Sequence, residues 1–273
     1  MSTPAPARPA ATIMLLRDGP DGMEVFMVVR HHRIDFASGA LVFPGGRVES
    51  DDRAIADGTR GGRTPGLDGD TLALRVAGIR EAFEECGVLL ARPRGARGLI
   101  DAARLTSVPP GADFAALLDS EDLELATDLL TPFAHWITPP TMPKRFDTHF
   151  FLVPAPSDHL AVHDGAESVD SVWVTPERAL AEAAEGRWKL VFPTRLNLRK
   201  LARWTNSAAA IEAASAAPIV TVMPEATRTP NGRLMHIPEA AGYGGAVFES
   251  MDAPAMEPRD AKKMGGAPGA PPK

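Results

Sequence analysis

The chain holds one cysteine and one tyrosine in 273 residues, and each scarcity excludes something. With Cys86 alone, no intrachain disulfide and none of the cysteine-rich zinc patterns can form. One tyrosine and four tryptophans, scattered at 136, 173, 188 and 204, provide no aromatic platform for stacked bases. No long basic stripe is present, and a net charge of −6 offers no general attraction to nucleic acid or an anionic membrane. No uninterrupted apolar run approaches the length of a membrane span. The proline-rich start, Met1 to Pro9, lacks the basic-then-apolar order of a secretory signal. The closing Pro-Pro-Lys273 is not a peroxisomal address. The expectation is a cytoplasmic protein with no nucleic-acid or membrane partner.

What is present is ordinary for a globular chain: 44% apolar and 23% charged residues, enough for one substantial core and a second small subdomain. Residues 1–9 and 251–273, rich in Pro, Ala and Gly, read as disordered tails. Ala11 to Leu16 and Val25 to Val29 read as a hairpin around the turn Gly19-Pro-Asp-Gly22. Gly39 to Phe43 is a third strand, and Phe133–Ile137, Phe146–Val153 and Val169–Val174 are further ones. Residues 111–130 read as two short helices or one broken one. Thr175-Pro176 opens a helix that stops at Gly186. Helices at about 194–204 and 207–215 follow, and Ile219 to Met223 is read as one added strand.

The most informative segment is Ala77 to Leu90. Glu81, Glu84 and Glu85 stand at helical spacing, and at about 100° per residue they fall within one third of the helix circumference. Leu72, Val76, Ile79, Phe83 and Cys86, spaced 4, 3, 4, 3, form an apolar stripe opposite them. Cys86 therefore reads as a small buried hydrophobe. Like charges at these spacings repel by about 0.2–0.5 kcal/mol per pair, a cost that a bound divalent cation would remove. Upstream, Phe43-Pro-Gly-Gly-Arg-Val-Glu49 follows an apolar stretch, and its paired glycines let backbone approach a ligand closely.

Together these segments resemble the signature of the Nudix hydrolases: a glycine, five residues, a glutamate, seven residues, then Arg-Glu-apolar-x-Glu-Glu-x-Gly-apolar. Arg80, Glu81, Glu84, Glu85, Gly87 and Val88 match the second half, with Ala82 at the apolar position. Gly46 matches the first half, but the glutamate position holds Asp52. Gly46 and Arg80 are 34 positions apart where the family's spacing places 14. About 20 residues are thus inserted, within residues 53–71, and Gly58 to Gly69 with five glycines reads as a flexible excursion.

The resemblance implies the Nudix fold, an α/β protein of the α+β type with a mixed β-sheet sandwiched between helices. It covers residues 10–205 as one domain, leaving 206–250 as a C-terminal extension with extra helices. It also implies hydrolysis of a pyrophosphate in a small nucleotide-type substrate, assisted by Mg²⁺ or Mn²⁺. Glu81, Glu84 and Glu85 carry over as metal ligands, with the Gly45 carbonyl as a weaker one, and Arg80, Gly46 and Gly87 as structural positions. The general base is left open among Glu84, Glu49 beside the glycine turn and Glu167 ahead of a strand. Arg30, Arg33, Arg47, Lys144 and Arg145 are candidate substrate contacts, with His31 and His32 beside them. The segment Pro139 to Phe151 and the interrupted signature resemble the coenzyme A and acyl-coenzyme A diphosphatase subgroup. ADP-ribose, NADH or another nucleoside diphosphate derivative is the alternative substrate, and a non-catalytic nucleotide-sensing domain is the alternative of another class. A homodimer is compatible with the C-terminal helices.

Overall fold

A computed structural model describes residues 4–30, 39–62, 64–105, 112–157, 168–230 and 232–250. The chain opens with the hairpin β1 (Arg8–Gly19) and β2 (Gly22–Arg30), followed by the short strands β3 (Leu41–Val42) and β4 (Gly45–Arg47). Helices α1 (Ser50–Asp57) and α2 (Gly69–Cys86) come next, then β5 (Ala91–Pro93), α3 (Ala102–Leu105), α4 (Phe114–Ser120) and β6 (Leu123–Leu125). Strands β7 (Thr131–Ile137), β8 (Phe146–Pro154) and β9 (Ser168–Val174) precede α5 (Pro176–Ala184), α6 (Phe192–Leu201) and α7 (Ser207–Ala216). Four strands close the described chain: β10 (Thr221–Val222), β11 (Glu225–Thr229), β12 (Gly232–His236) and β13 (Val247–Ser250).

The main sheet has the order β10-β7-β8-β1-β2-β3, with β4 added to β1 and β9 to β2. It is mixed: β1 runs parallel to β8 and β10 parallel to β7, while the other pairs are antiparallel. Alternation along each strand divides the apolar side chains between two cores. Ala11, Ile13, Leu15, Phe26, Val28, Phe151 and Val153 face the core shared with α2. Met14, Leu16, Val25, Met27, Phe150 and Leu152 face the core shared with α6 and α7. This is the sheet between helices implied by the signature.

The hairpin ladder ends at Leu16–Val25, where the sheet forks. Beyond that point β1 pairs with β4, from Thr12–Gly45 to Ala10–Arg47, while β2 pairs with β3 and β9. Residues Leu41 to Arg47 cross this fork, so the paired glycines are held by backbone on the α2 side of the sheet.

The inserted segment is not a loose excursion. Its first residues complete α1, and its glycine-rich remainder is anchored to the segment from Asp119 to Thr127. The Arg60 carbonyl accepts from the Leu125 amide at 2.9 Å, and its guanidinium reaches Asp119 and Asp122 at 2.9 and 2.7 Å. The Gly61 carbonyl accepts from Thr127 Oγ1 at 3.2 Å. Backbone and side-chain bonds between residues 59 to 66 apart hold it, a pattern that glycine content does not register. Residues 112–130 contain only one α-helix, α4, followed by β6 and a 3₁₀ turn at Thr127–Leu129. The expected strand from Gly39 to Phe43 shortens to β3, with Ala40 bridging to Lys189 instead.

Residues 206–250 carry more strand than expected. After α7, Thr221–Val222 adds to the edge of the main sheet beside β7, as the apolar run there suggested. Strands β11, β12 and β13 form a separate antiparallel sheet. Its neighbour Tyr243 is buried, accepting from Trp136 Nε1 at 2.9 Å and donating to Asn197 at 2.8 Å. The extension thereby packs on the second core. Its alternation is weak because β11 is almost wholly exposed, so the half-buried strand signature is missing.

Candidate active site

Helix α2 is defined locally at both ends. The Asp68 side chain accepts from the Thr71 amide at 2.7 Å, and Gly87 adopts a left-handed conformation at φ 69° that ends the helix. Its middle is more enclosed than an amphipathic stripe implies, with every residue from Ala73 to Arg80 buried. One side lies on β1. Buried Arg75 donates to the carbonyls of Thr127 and Leu130, both at 2.6 Å, and lies over the Phe151 ring. The three glutamates stand in the last turn and a half, where burial alternates with exposure.

Each of the three is placed differently. Glu85 is buried at 7% exposure and accepts from the Gly45 amide at 3.0 Å, joining helix to glycine turn. Glu81 lies against Gly46, where a Cβ would come within 2.5 Å of its Cδ. Glycine is required at this position because any side chain would displace the carboxylate. Glu84 is the most open, its side chain 46% exposed, and it accepts from Arg80 Nη1 at 2.7 Å. In the ladder to β1 the neighbouring Pro44 carbonyl and Val48 amide bond to Ile13 and Pro9. The Gly45 amide instead turns to α2, and in extended backbone its carbonyl lies on that same side.

Arg80 joins these parts. Its Nε and Nη2 grip Asp52 at 2.8 and 3.0 Å, Nη2 also reaches the Arg47 carbonyl at 3.0 Å, and Nη1 is 3.0 Å from Glu81. Burial disfavours the Arg80 charge, but the Asp52 hydrogen bond and the field of Glu81, Asp52 and Glu84 outweigh it and raise its pKa. Asp52, which departs from the signature in sequence, is fully buried and accepts from the Glu49 amide at 2.8 Å at the head of α1. The shorter carboxylate reaches Arg80 because α1 begins directly after β4 and carries it inward. The loop half of the signature is thus spatially complete, and the inserted residues follow it without separating it from α2.

The remaining candidates are more dispersed. Arg47 and Glu49 lie at the mouth of the glycine turn, 3.8 Å apart, with side chains 52% and 55% exposed. Arg30 ends β2 at the fork, its backbone paired with Gly39 and Ala40. Arg145 is engaged by main chain: Nε donates to the Thr138 carbonyl at 3.0 Å and Nη1 to the Ala5 carbonyl at 2.7 Å. It clamps the start of β8 to the N-terminal segment. Lys144 beside it is exposed. His31, His32, Arg33 and Glu167 lie outside the described residues.

A second polar cluster was not singled out from the sequence. His135, Asp147 and His149 bring one ligand atom each to within 4.8 Å of one another. His135 Nε2 hydrogen-bonds Asp147 Oδ1, and the two imidazoles stack with centroids 4.0 Å apart. Burial, then the charge of His135, lowers the His149 pKa to about 4 against the opposing pull of Asp147. The alternation of β8 was visible in sequence and placed Asp147 and His149 on one face. The register that brings His135 opposite His149 was not.

The α2 carboxylates suit a hard divalent cation chemically. They are all oxygen donors, and the one guanidinium among them, Arg80, is already shared by Asp52, Glu81 and Glu84. Among the described residues no helix is long and apolar enough to cross a membrane.

Comparison with known proteins agrees with this geometry. The family model described as the NUDT19 Nudix domain matches residues 62–201, about half of the chain. A Caenorhabditis elegans relative named as a nudix hydrolase is 27% identical over 184 residues, 66% of this chain and 56% of that protein. The human acyl-coenzyme A diphosphatase NUDT19 is 29% identical over 153 residues, 50% of this chain and 41% of that protein. The chain spans about half the length of these curated relatives. The crystal structure of a NUDIX hydrolase from Alicyclobacillus acidocaldarius is 31% identical, with a TM-score of 0.66, covering 78% of this chain and 99% of that one. With the carboxylate helix, its arginine and the glycine turn assembled on a matching fold, the chain belongs to the Nudix hydrolase family.

Proposed function

We propose that the protein hydrolyses the pyrophosphate of coenzyme A or an acyl-coenzyme A. The products are a 4′-phosphopantetheine species and adenosine 3′,5′-bisphosphate. The observation that carries the hydrolytic reading is the last turn of α2, where three carboxylates stand beside a glycine turn and the Glu81 carboxylate fills the space that a Cβ at Gly46 would take. The substrate assignment draws on the printed activity of the human relative. A non-catalytic domain would have no use for three carboxylates held in three different ways, and this favours catalysis.

In this reading Glu81, Glu84 and Glu85, with the Gly45 carbonyl, would hold Mg²⁺ or Mn²⁺, which when bound would supply neutralisation of phosphate oxygens and a lowered pKa for a water. Glu85 and Glu81 are the fixed members, one tied to the Gly45 amide and one seated on Gly46. Glu84 is the exposed member, and it takes the proton of the attacking water while Arg80 holds its carboxylate in place. The oxygen of water adds to one phosphorus, the bridging P–O bond breaks, and the other phosphate leaves with the electron pair. Glu49 and Glu167 are the other candidate bases. Arg47, Arg30, Arg33, Lys144 and Arg145 are proposed to meet the phosphates.

The assignment is tested by incubating the purified chain with Mg²⁺ and coenzyme A, acyl-coenzyme A, ADP-ribose and NADH, and resolving the products chromatographically. The expected result is release of adenosine 3′,5′-bisphosphate from the coenzyme A compounds at the highest kcat/KM. Fast ADP-ribose cleavage without coenzyme A turnover would overturn it.

Gly46→Ala supplies a second check. The added methyl displaces Glu81, the end of a flexible side chain, and not backbone. Activity should therefore fall by about 100-fold, as for a misplacement near 1 Å. The urea midpoint should move little. Gly45 differs, because at φ 156° its Cβ would meet the backbone of Thr12 at 2.7 Å. Gly45→Ala should lower the urea midpoint itself.

A further inference from the structure

We propose that His135, Asp147 and His149 form a second cation site, chemically distinct from the α2 carboxylates and suited to a borderline metal of the zinc class. The donor set is two imidazole nitrogens and one carboxylate oxygen, the type that Zn²⁺, Co²⁺ and their neighbours prefer and Mg²⁺ does not.

The placement follows from strand register. His135 on β7 stands directly opposite His149 on β8, and Asp147 is two residues along on the same face. His149 Nε2 lies 3.8 Å from the Asp147 oxygen that His135 Nε2 already contacts. The other nitrogen of His135, Nδ1, is 2.8 Å from Thr221 Oγ1. Strand β10, added at the sheet edge, delivers that hydroxyl. A hydrogen bond at the second nitrogen orients a ligating imidazole, so Thr221 completes the support a metal ligand requires.

Three protein ligands leave a coordination position open, and the structure provides space for it. Asp147 and His149 line a pocket of about 200 Å³ together with Arg53 and Asp70 of the α1–α2 pair and Leu74. The site is close to the carboxylate centre. Gly46, Ala11, His149 and His135 are consecutive cross-strand neighbours on β4, β1, β8 and β7. With strands about 4.8 Å apart, His149 lies roughly 10 Å from the glycine beneath Glu81. The two centres open on the same side of the sheet.

Binding requires a small rearrangement. Tetrahedral ligands about 2.0–2.1 Å from a zinc ion stand roughly 3.3 Å apart, while His149 Nε2 and Asp147 Oδ1 are now 3.8 Å apart. The stacked rings must turn about their Cβ–Cγ bonds to aim both nitrogens at one point.

The test is titration of the metal-stripped full chain with Co²⁺, followed by visible absorption, in a Glu84→Gln/Glu85→Gln background that disables the carboxylate centre. One equivalent of Co²⁺ should give the intense d–d bands of a nitrogen-ligated ion, and Zn²⁺ should displace it. His135→Gln and His149→Gln should each abolish the bands, and Thr221→Val should weaken binding by about 10–100-fold. Histidine ring NMR of the unmutated protein gives an independent readout that requires no variant to fold. Two imidazoles should shift on addition of one equivalent of Zn²⁺, and none on addition of Mg²⁺. Histidine resonances unmoved by Zn²⁺, or Co²⁺ bands that persist in both histidine variants, would overturn the site. Neither readout depends on the substrate, so the outcome is separable from the proposed hydrolysis.

Discussion

Glu84→Gln and Glu85→Gln are each expected to lower pyrophosphate hydrolysis by about 10²–10⁴-fold while leaving the protein folded. The two substitutions reach that result by different routes. Glu84 is exposed enough that a neutral amide is readily solvated, so what is lost is its charge and its capacity to accept a proton. Glu85 is buried and accepts the Gly45 amide. Glutamine retains an oxygen for that bond, so the joint between helix and turn survives while the anionic ligand does not. Measuring kcat and KM across a Mg²⁺ series separates the roles. A Glu85 variant rescued in part by high Mg²⁺ has lost metal affinity, whereas a Glu84 variant that stays slow at saturating metal has lost proton transfer. Wild-type turnover in both variants would remove the carboxylate centre from the mechanism.

Asp52→Ala should cause the largest loss of stability, about 3–5 kcal/mol for breaking a buried ion pair from one side. Asp52 is completely buried and holds two nitrogens of Arg80, whose guanidinium would be left in a poorly solvated place without its principal acceptor. The same carboxylate caps the Glu49 amide at the head of α1, and loss of such a cap adds about 1 kcal/mol. Against a typical total of about 5–15 kcal/mol the effect is severe, and urea unfolding at fixed protein concentration measures it. Asp52→Glu separates charge from fit. It restores the residue found in the family signature and keeps the negative charge, but an extra methylene in a filled site should cost about 1–3 kcal/mol. A loss below about 1 kcal/mol for Asp52→Ala would show that the pair does not hold the loop to the helix.

These two predictions rest on residues that were legible to different degrees. Glu81, Glu84 and Glu85 were readable as a cluster because a helix is local: spacing alone puts them on one face. The Asp68 cap and the Gly87 stop are local in the same sense, as is the Thr175-Pro176 helix start, where Thr175 Oγ1 accepts from the Arg178 amide. The importance of Asp52 was not readable. In sequence it stands 28 positions from Arg80 and departs from the expected residue type, and only the turn from β4 into α1 brings the two together. The main-chain role of Arg145 was not readable either, because the carbonyls of Thr138 and Ala5 that take up two of its donors lie outside its local sequence pattern.

By itself, then, the sequence determined what depends on short-range periodicity and stereochemistry. That includes the acidic helix and its ends, the β1–β2 hairpin, the alternating strands of a mixed sheet and the glycine turn. The tertiary structure decided what depends on register between distant segments. The fork that seats Gly45 and Gly46 against α2, the Asp52–Arg80 pair, the anchoring of the inserted segment and the β11–β13 sheet all belong here. So does the meeting of His135 with Asp147 and His149. The physical reason is common to all of them: a helix brings residues three and four apart together without help, whereas cross-strand and helix-to-loop neighbours are chosen only when the whole sheet closes.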